Sequence, residues 1–522
     1  MINRILLSNY LHLAFELSRL KNLTPILCCA CLLAVPVVSA QTSAKTSAQP
    51  TAQPSAQLSA QPIAHTPPPD GSNSTLDASP IQRYKLSNGM ELIVLPDHRA
   101  ATVVHMVWVR VGSIDEVDGT SGVAHAIEHM MFKGTPKVGV GEFSKRVAAL
   151  GGRENAFTNL DYTGFFQQIP ANRLEAVMRL EADRFEHNSW VDAEFKKEIE
   201  VIKEERRMRT DDVPRSILNE QLNAVQFTAS PYRRPVIGWM NDLDSMTADD
   251  VRHFHDTWYK PSNAVVVVVG DVQPLEVKKL AERIYGVIPK GVTPTRKPRV
   301  EPEQTGLRRL SVKAPAEQGF LIMSWKVPGY KSDPKSSEHQ DALALQMLSA
   351  VLDGYSGARL DRTLTQGEHP LADEAGAEYT FSGRGPQVFQ LQAVPAAGQN
   401  TDQLEAALKA QIKRIADEGV SASELNRVKA QWIATAVYKR DSLFNQAQEI
   451  GSYWIEGLPL DTSDRLISEL SSITPAQVQL VAQKYFDDDH LTVGTLVPMP
   501  INSEAARKAA NAANALREGM LR

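Results

Sequence analysis

Hydrophobic and polar positions along the chain fall into segments of different period. Residues 83–96 (RYKLSNGMELIVLP) alternate on either side of Asn88-Gly89, a dipeptide suited to a tight hairpin turn. Residues 102–111 (TVVHMVWVRV) read as a buried strand, and residues 263–271 (NAVVVVVGD) as a wholly apolar strand closed by Gly270. Between them apolar residues recur with helical spacing over 121–134, 141–150, 171–187 and 192–209. Strands and helices mixed in this way predict an α+β unit whose sheet edge begins at the hairpin.

After the charged, proline-punctuated run 289–302 (PKGVTPTRKPRVEP), strand-like and then helical segments return, which marks residues 291–305 as a linker. A repeat spans that linker. Thr247-Ala248-Asp249-Asp250-Val251 aligns with Thr474-Pro475-Ala476-Gln477-Val478, Trp258-Tyr259 with Tyr485-Phe486, and the strand at Val265 with one at Thr492, always at an offset of 227. The pattern predicts two homologous α+β domains, residues 83–290 and 306–500, and a tail over 501–522.

The N-terminus has another texture. Residues 25–38 (PILCCACLLAVPVV) follow Arg19 and Lys21 and run into Val38-Ser39-Ala40, the small-residue ending of an export signal; residues 1–40 are therefore expected to be a cleaved signal peptide and the product periplasmic or otherwise exported. This apolar run of 14 residues falls short of the about 20 a spanning helix needs, with an uncleaved anchor as the alternative reading. Residues 41–82 are built largely of Ser, Ala, Gln, Thr and Pro in near-repeats and read as a low-complexity linker. The formal charge is −5, and loss of residues 1–40 removes a net +2 to leave −7, which argues against a nucleic-acid partner. Cys28, Cys29 and Cys31 are the only cysteines, so nothing beyond residue 31 can form a disulfide or a thiolate metal site.

Candidate chemistry lies in the first repeat. In residues 121–133 (SGVAHAIEHMMFK), His125 and His129 stand one helical turn apart on one face, where both imidazoles can hold one zinc ion, with Glu128 beside them. A third ligand is expected from residues 192–209. Counting 100° per residue, Phe195, Ile199, Val201, Ile202 and Met208 define a core-facing stripe, and Glu198 and Glu205 fall near its middle. Carboxylates pointing inward call for a cation; Glu200 and Glu204 project to the opposite, solvated side. Glu205 is the predicted third ligand and Glu198 an assisting acid that orients a histidine. The competing reading pairs both carboxylates with arginines such as Arg153, Arg184 or Arg206.

These residues resemble the insulinase/pitrilysin family of zinc metallopeptidases over about residues 83–500. His125-Ala126-Ile127-Glu128-His129 stands at the family's inverted zinc motif with Met131-Phe132-Lys133-Gly134-Thr135 as its extension, and Glu205 follows His129 by 76 residues, with Glu198 seven before it. Gly151-Gly152-Arg153-Glu154-Asn155-Ala156-Phe157-Thr158, with Asp161 and Thr163, resembles the family's edge strand beside the metal, and residues 258–272 its domain ending. The resemblance implies two mixed-sheet domains with helices on one face, together half of a clamshell. It implies a zinc endopeptidase with one Zn2+ per chain held by His125, His129 and Glu205, in which Glu128 takes a proton from the attacking water and returns it to the leaving amine. Asn155, Ala156, Phe157 and Thr158 would bind the backbone of an extended peptide as an added strand. Scavenging of unfolded oligopeptides and trimming of one small precursor both remain open.

Non-catalytic family relatives imply an alternative, a structural or binding subunit, against which the intact zinc set argues. The family also places an arginine and a tyrosine, seven residues apart, in the half opposite the zinc. Alignment puts Thr365 and Asp373 about where that pair should stand here, while Arg362 and Tyr379 stand 17 apart and read as surface and strand residues. The expected partner is a second family-like subunit that lacks the zinc motif and carries the pair, with a homodimer as the alternative.

Overall fold

The structure is a computed structural model that describes residues 80–188 and 190–501. The expected signal peptide, the low-complexity run up to residue 79 and the tail from residue 502 lie outside the described residues.

Alternation in the first half produces a six-stranded sheet of β1 (Gln82–Lys85), β2 (Glu91–Pro96), β3 (Thr102–Val109), β4 (Arg153–Thr158), β5 (Thr163–Pro170) and β6 (Ala264–Gly270), in the order β1-β2-β6-β3-β5-β4. The second half folds β7 (Arg308–Pro315), β8 (Phe320–Val327), β9 (Ala372–Tyr379), β10 (Gln387–Pro395) and β11 (Leu491–Met499) into a five-stranded sheet, β7-β11-β8-β10-β9. Apart from the extra β1, the two sheets share one plan. A parallel pair, β2 with β6 or β7 with β11, is followed by antiparallel neighbours only. The β1–β2 turn closes at Asn88-Gly89, where Gly89 takes φ +92° and the Asn88 amide donates to the carbonyls of Tyr285 and Ile288.

The offset of 227 seen in the sequence is present in space. Thr247 and Asp250 form a reciprocal cap on the helix Ala248–Trp258, and Thr474 and Gln477 form the same cap on Pro475–Lys484. Each helix leads into an interior strand of its sheet, β6 or β11, the one that makes the parallel pair.

Both faces of each sheet are buried, which explains the unbroken valines of β6. Val266 and Val268 face the first unit's own helices, whereas Val265, Val267 and Val269 join Ile93, Met106 and Trp108 beneath the helix Leu443–Glu456. That helix belongs to the second unit. In exchange, the helix Pro214–Gln226 of the first unit sets Leu218 and Leu222 against Val312, Phe320, Ile322 and Leu496 of the second sheet. Close approach at the first contact requires glycine, because a Cβ on Gly451 would lie 2.1 Å from the Trp108 indole.

The helix Asp192–Arg206 buries Phe195, Glu198, Ile199 and Ile202, but Val201 and Met208 are exposed, contrary to the stripe predicted for them. Val201 sits one residue, about 100°, from the centre of the stripe. Met208 follows a change to a wider turn over Arg207–Asp211, which ends the regular count. Among the described residues, no helix is long and apolar enough to cross a membrane.

Candidate metal centre

The helix Val123–Met130 starts at Gly122, whose φ of +89° and close contact with the Ile237 carbonyl leave no room for a side chain. Ahead of it, the buried Glu116 carboxylate accepts from the backbone amides of Gly122 at 3.0 Å and Ala124 at 2.9 Å, satisfying donors that the first helical turn leaves free. Burial pushes this carboxyl up to about 8, against the pull of those two amides.

On this helix the rings of His125 and His129 lie 4.7 Å apart. Helix Asp192–Arg206 packs alongside and presents Glu205 Oε2 at 3.8 Å from His125 Nε2 and 3.3 Å from His129 Nε2. One donor atom from each of the three residues falls within a span of 4.8 Å. Glu198 accepts from His129 Nδ1 at 2.8 Å, which turns Nε2 of that ring toward Glu205.

Neither carboxylate uses the arginines weighed as competitors. Arg184 pairs with Glu181, Arg206 with Glu220, and Arg153 donates to Gln168. Two other cations approach instead, Lys133 at 2.5 Å from Glu198 Oε2 and Arg209 at 2.5 Å from Glu205 Oε1. Arg209 stands four residues beyond Glu205, a spacing at which a helix brings side chains together and which the sequence offers, whereas Lys133 reaches Glu198 from a distant segment.

Burial and charge divide the site's protons unevenly. Burial drives His125 down to about 3. Burial also works to lower His129, but the bonds to Glu198 and Glu205 prevail and push it up to about 9. For Glu205, burial is overcome by His129, His125 and Arg209, which hold the carboxyl down at about 2. Glu128 is displaced upward, chiefly by burial. Its Oε2 and Nδ1 of His125 are buried without a protein partner. Two imidazoles, one carboxylate and an acid with one buried oxygen left unpartnered match the donor set of a catalytic zinc site, so these residues fit the ion.

The other predicted residues lie on β4, which is the free edge of the first sheet. Asn155 is exposed, and Ala156 is half-buried with its amide bonded to Asn155 Oδ1. Phe157 and Thr158 turn inward. Phe157 packs edge-on against Trp108, and Thr158 meets Thr163 at 3.5 Å and lies beside Glu128. The features open to a ligand here are the strand edge and Asn155. In the second unit Thr365 donates to Asp361, Asp373 accepts from Gln318, Arg362 lies 3.6 Å from Glu424, and Tyr379 is buried with its hydroxyl donating to the Pro328 carbonyl.

Residues 92–239 match the family model of the insulinase (peptidase family M16) domain, and residues 245–432 that of the peptidase M16 inactive domain. The chain is 29% identical over 420 residues to the zinc protease PqqE of Helicobacter pylori, covering 79% of this chain and 92% of that protein. A protease structure from Helicobacter pylori aligns with a TM-score of 0.75 at 27% identity, over 80% of this chain and 99% of that one. The periplasmic protease PqqL of Escherichia coli shares the fold, with a TM-score of 0.69 at 22% identity, over 83% of this chain and 48% of its own. Two models of one family side by side over more than half of the sequence, on a fold shared with its solved members, make this chain a member of the insulinase family of peptidases, peptidase family M16.

Proposed function

We propose that the chain is a zinc-dependent endopeptidase that hydrolyses extended, unfolded oligopeptides or a small precursor. The observation that carries this reading is the convergence of His125, His129 and Glu205 on one point, with the unpartnered Oε2 of Glu128 beside it. His125 and His129 would hold zinc through Nε2 and Glu205 through Oε2, while Glu198 keeps the second ring in register. Bound zinc would supply Lewis acidity for the scissile carbonyl and its attacking water. Glu128 takes a proton from that water and returns it to the leaving amine nitrogen; its upward-shifted carboxyl suits it to hold the proton in between. The edge of β4 pairs with the peptide backbone, which favours unstructured substrates over folded ones.

The chain acts with a second family-like half that supplies the arginine and tyrosine. Thr365 and Asp373 are bonded within their own unit and offer no such pair. The match to about half of the Escherichia coli chain supports a working unit twice this size. The N-terminal pattern supports export to the periplasm.

Metal analysis and cleavage of a quenched-peptide library, with the chain alone and with its partner, test the reading. About one zinc per chain and chelator-sensitive cleavage that rises with the partner are expected. A zinc-free chain, or cleavage that survives chelation, would overturn it.

A further inference from the structure

One side chain of the second unit reaches the segments of the first that lead into the metal-bearing helix and out of β4. The loop joining β9 to β10 carries Gly383-Arg384-Gly385 and presses against the first unit so closely that a Cβ on Gly385 would lie 2.6 Å from the Tyr232 ring, and one on Gly383 2.9 Å from Asp161 Oδ2. Arg384 lies between these glycines and is largely buried. Its guanidinium donates to both oxygens of Asp115 at 2.8 Å and to the Asp161 carbonyl at 2.7 Å, and its own amide donates to Asp161 Oδ2 at 3.1 Å.

Asp115 and Asp161 stand at two structures that matter to the site. Asp115 precedes Glu116, the acid that caps the metal-bearing helix at Gly122 and Ala124. Asp161 lies in the turn that ends the edge strand β4. The two segments are already joined, since Ser113 and Ile114 donate to the carbonyls of Asn159 and Leu160, and Gly112 fits only because it has no Cβ. A forked guanidinium bonded to both ends of this junction fixes their relative position, which a single-point cation would not do.

We infer that Arg384 is a positioning residue for the peptidase reaction, by which the unit without a zinc motif sets the metal-bearing helix and the peptide-docking strand in register. The inference rests on the proposed peptidase function, but its first test does not. Amide exchange is followed by mass spectrometry in the metal-free chain over residues 122–130 and 153–163. In Arg384→Gln, exchange in both segments rises about tenfold while the rest of both sheets keeps its protection.

With peptide substrate, kcat/KM falls about tenfold, mainly through KM, and zinc content is retained. Arg384→Lys recovers only part of the loss, because a single-point cation cannot bond both ends of the junction. Unchanged exchange in the two segments, or a uniform loss of protection across both sheets, would overturn the inference. Should Arg384→Gln not fold, Arg384→Lys is compared in the same way. An unmutated chain that cleaves nothing even with its partner half would count against the peptidase reading and leave the exchange result to decide the role of Arg384.

Discussion

The two units share one strand order but fill the space behind their sheets with different chemistry. After β3 the first unit places the helix Val123–Met130 with His125, Glu128 and His129; after β8 the second places the helix Ser337–Asp353, whose interior is Leu343, Leu345, Met347, Leu348, Val351 and Leu352. His339 on that helix is buried, but its Nδ1 donates to the Lys331 carbonyl and its ring packs against Tyr330. One frame therefore supports either a polar cluster that needs an ion or a core that needs none. The comparison teaches that the site is an exception placed in a frame already stabilised elsewhere, since a buried carboxylate oxygen left unpartnered costs stability that the rest of the fold must offset.

The sharpest way to break this comparison is to make the first unit as silent as the second. Glu128→Gln should retain zinc and lose turnover on the order of a thousandfold, whereas Glu205→Gln should lose zinc affinity as well. Metal content after dialysis against a weak chelator separates the two, and equal content would contradict the assigned roles. Glu204→Gln, on the exposed side and paired with Arg207, should change neither property.

A second comparison concerns the exchanged helices. Gly451→Ala should destabilise by about 1–3 kcal/mol, because the methyl group meets the Trp108 indole. Gly494→Ala should cost less, since its Cβ would meet Leu218 and Leu222 at 3.1 Å, where side chains can yield. Denaturant midpoints give the order, and a reversed order would show that the second contact is the tighter one.

The metal-free site also has a proton signature that the second unit lacks. With His129 pushed up to about 9, it is protonated at neutral pH and must lose that proton before Nε2 can bind zinc. Zinc affinity should therefore rise about tenfold per pH unit up to about 9 and then level off, and calorimetry in buffers of different ionisation enthalpy should record about one proton released per zinc at neutral pH. Release of no proton would place the charge elsewhere. The smallest effect is expected from removing residues 41–80: their composition supports no core, and the trimmed chain should cleave peptides at the full rate.

Much of this arrangement was legible because it is periodic. Alternation gave β2, apolar runs gave β3 and β6, the Asn-Gly turn gave the first hairpin, and helical spacing grouped His125 with His129 and Glu198 with Glu205. What escaped depends on contacts distant in sequence. An amphipathic pattern does not say which sheet a helix covers, so the exchange of Pro214–Gln226 for Leu443–Glu456 could not be foreseen. Arg384 reaches Asp115 across 269 positions from a loop with no period at all. Met208 was misplaced because a 100° count has no means of registering a wider turn.

The exchanged helices also govern the order in which the chain can mature. Strand β3 is complete at Val109, yet the helix that covers Trp108 does not begin until Leu443. At roughly 5–20 residues per second of synthesis, the first sheet waits on the order of tens of seconds with one apolar face uncovered. A fragment ending near residue 290 would keep that adhesive surface permanently and should aggregate at concentrations where the whole chain remains dispersed.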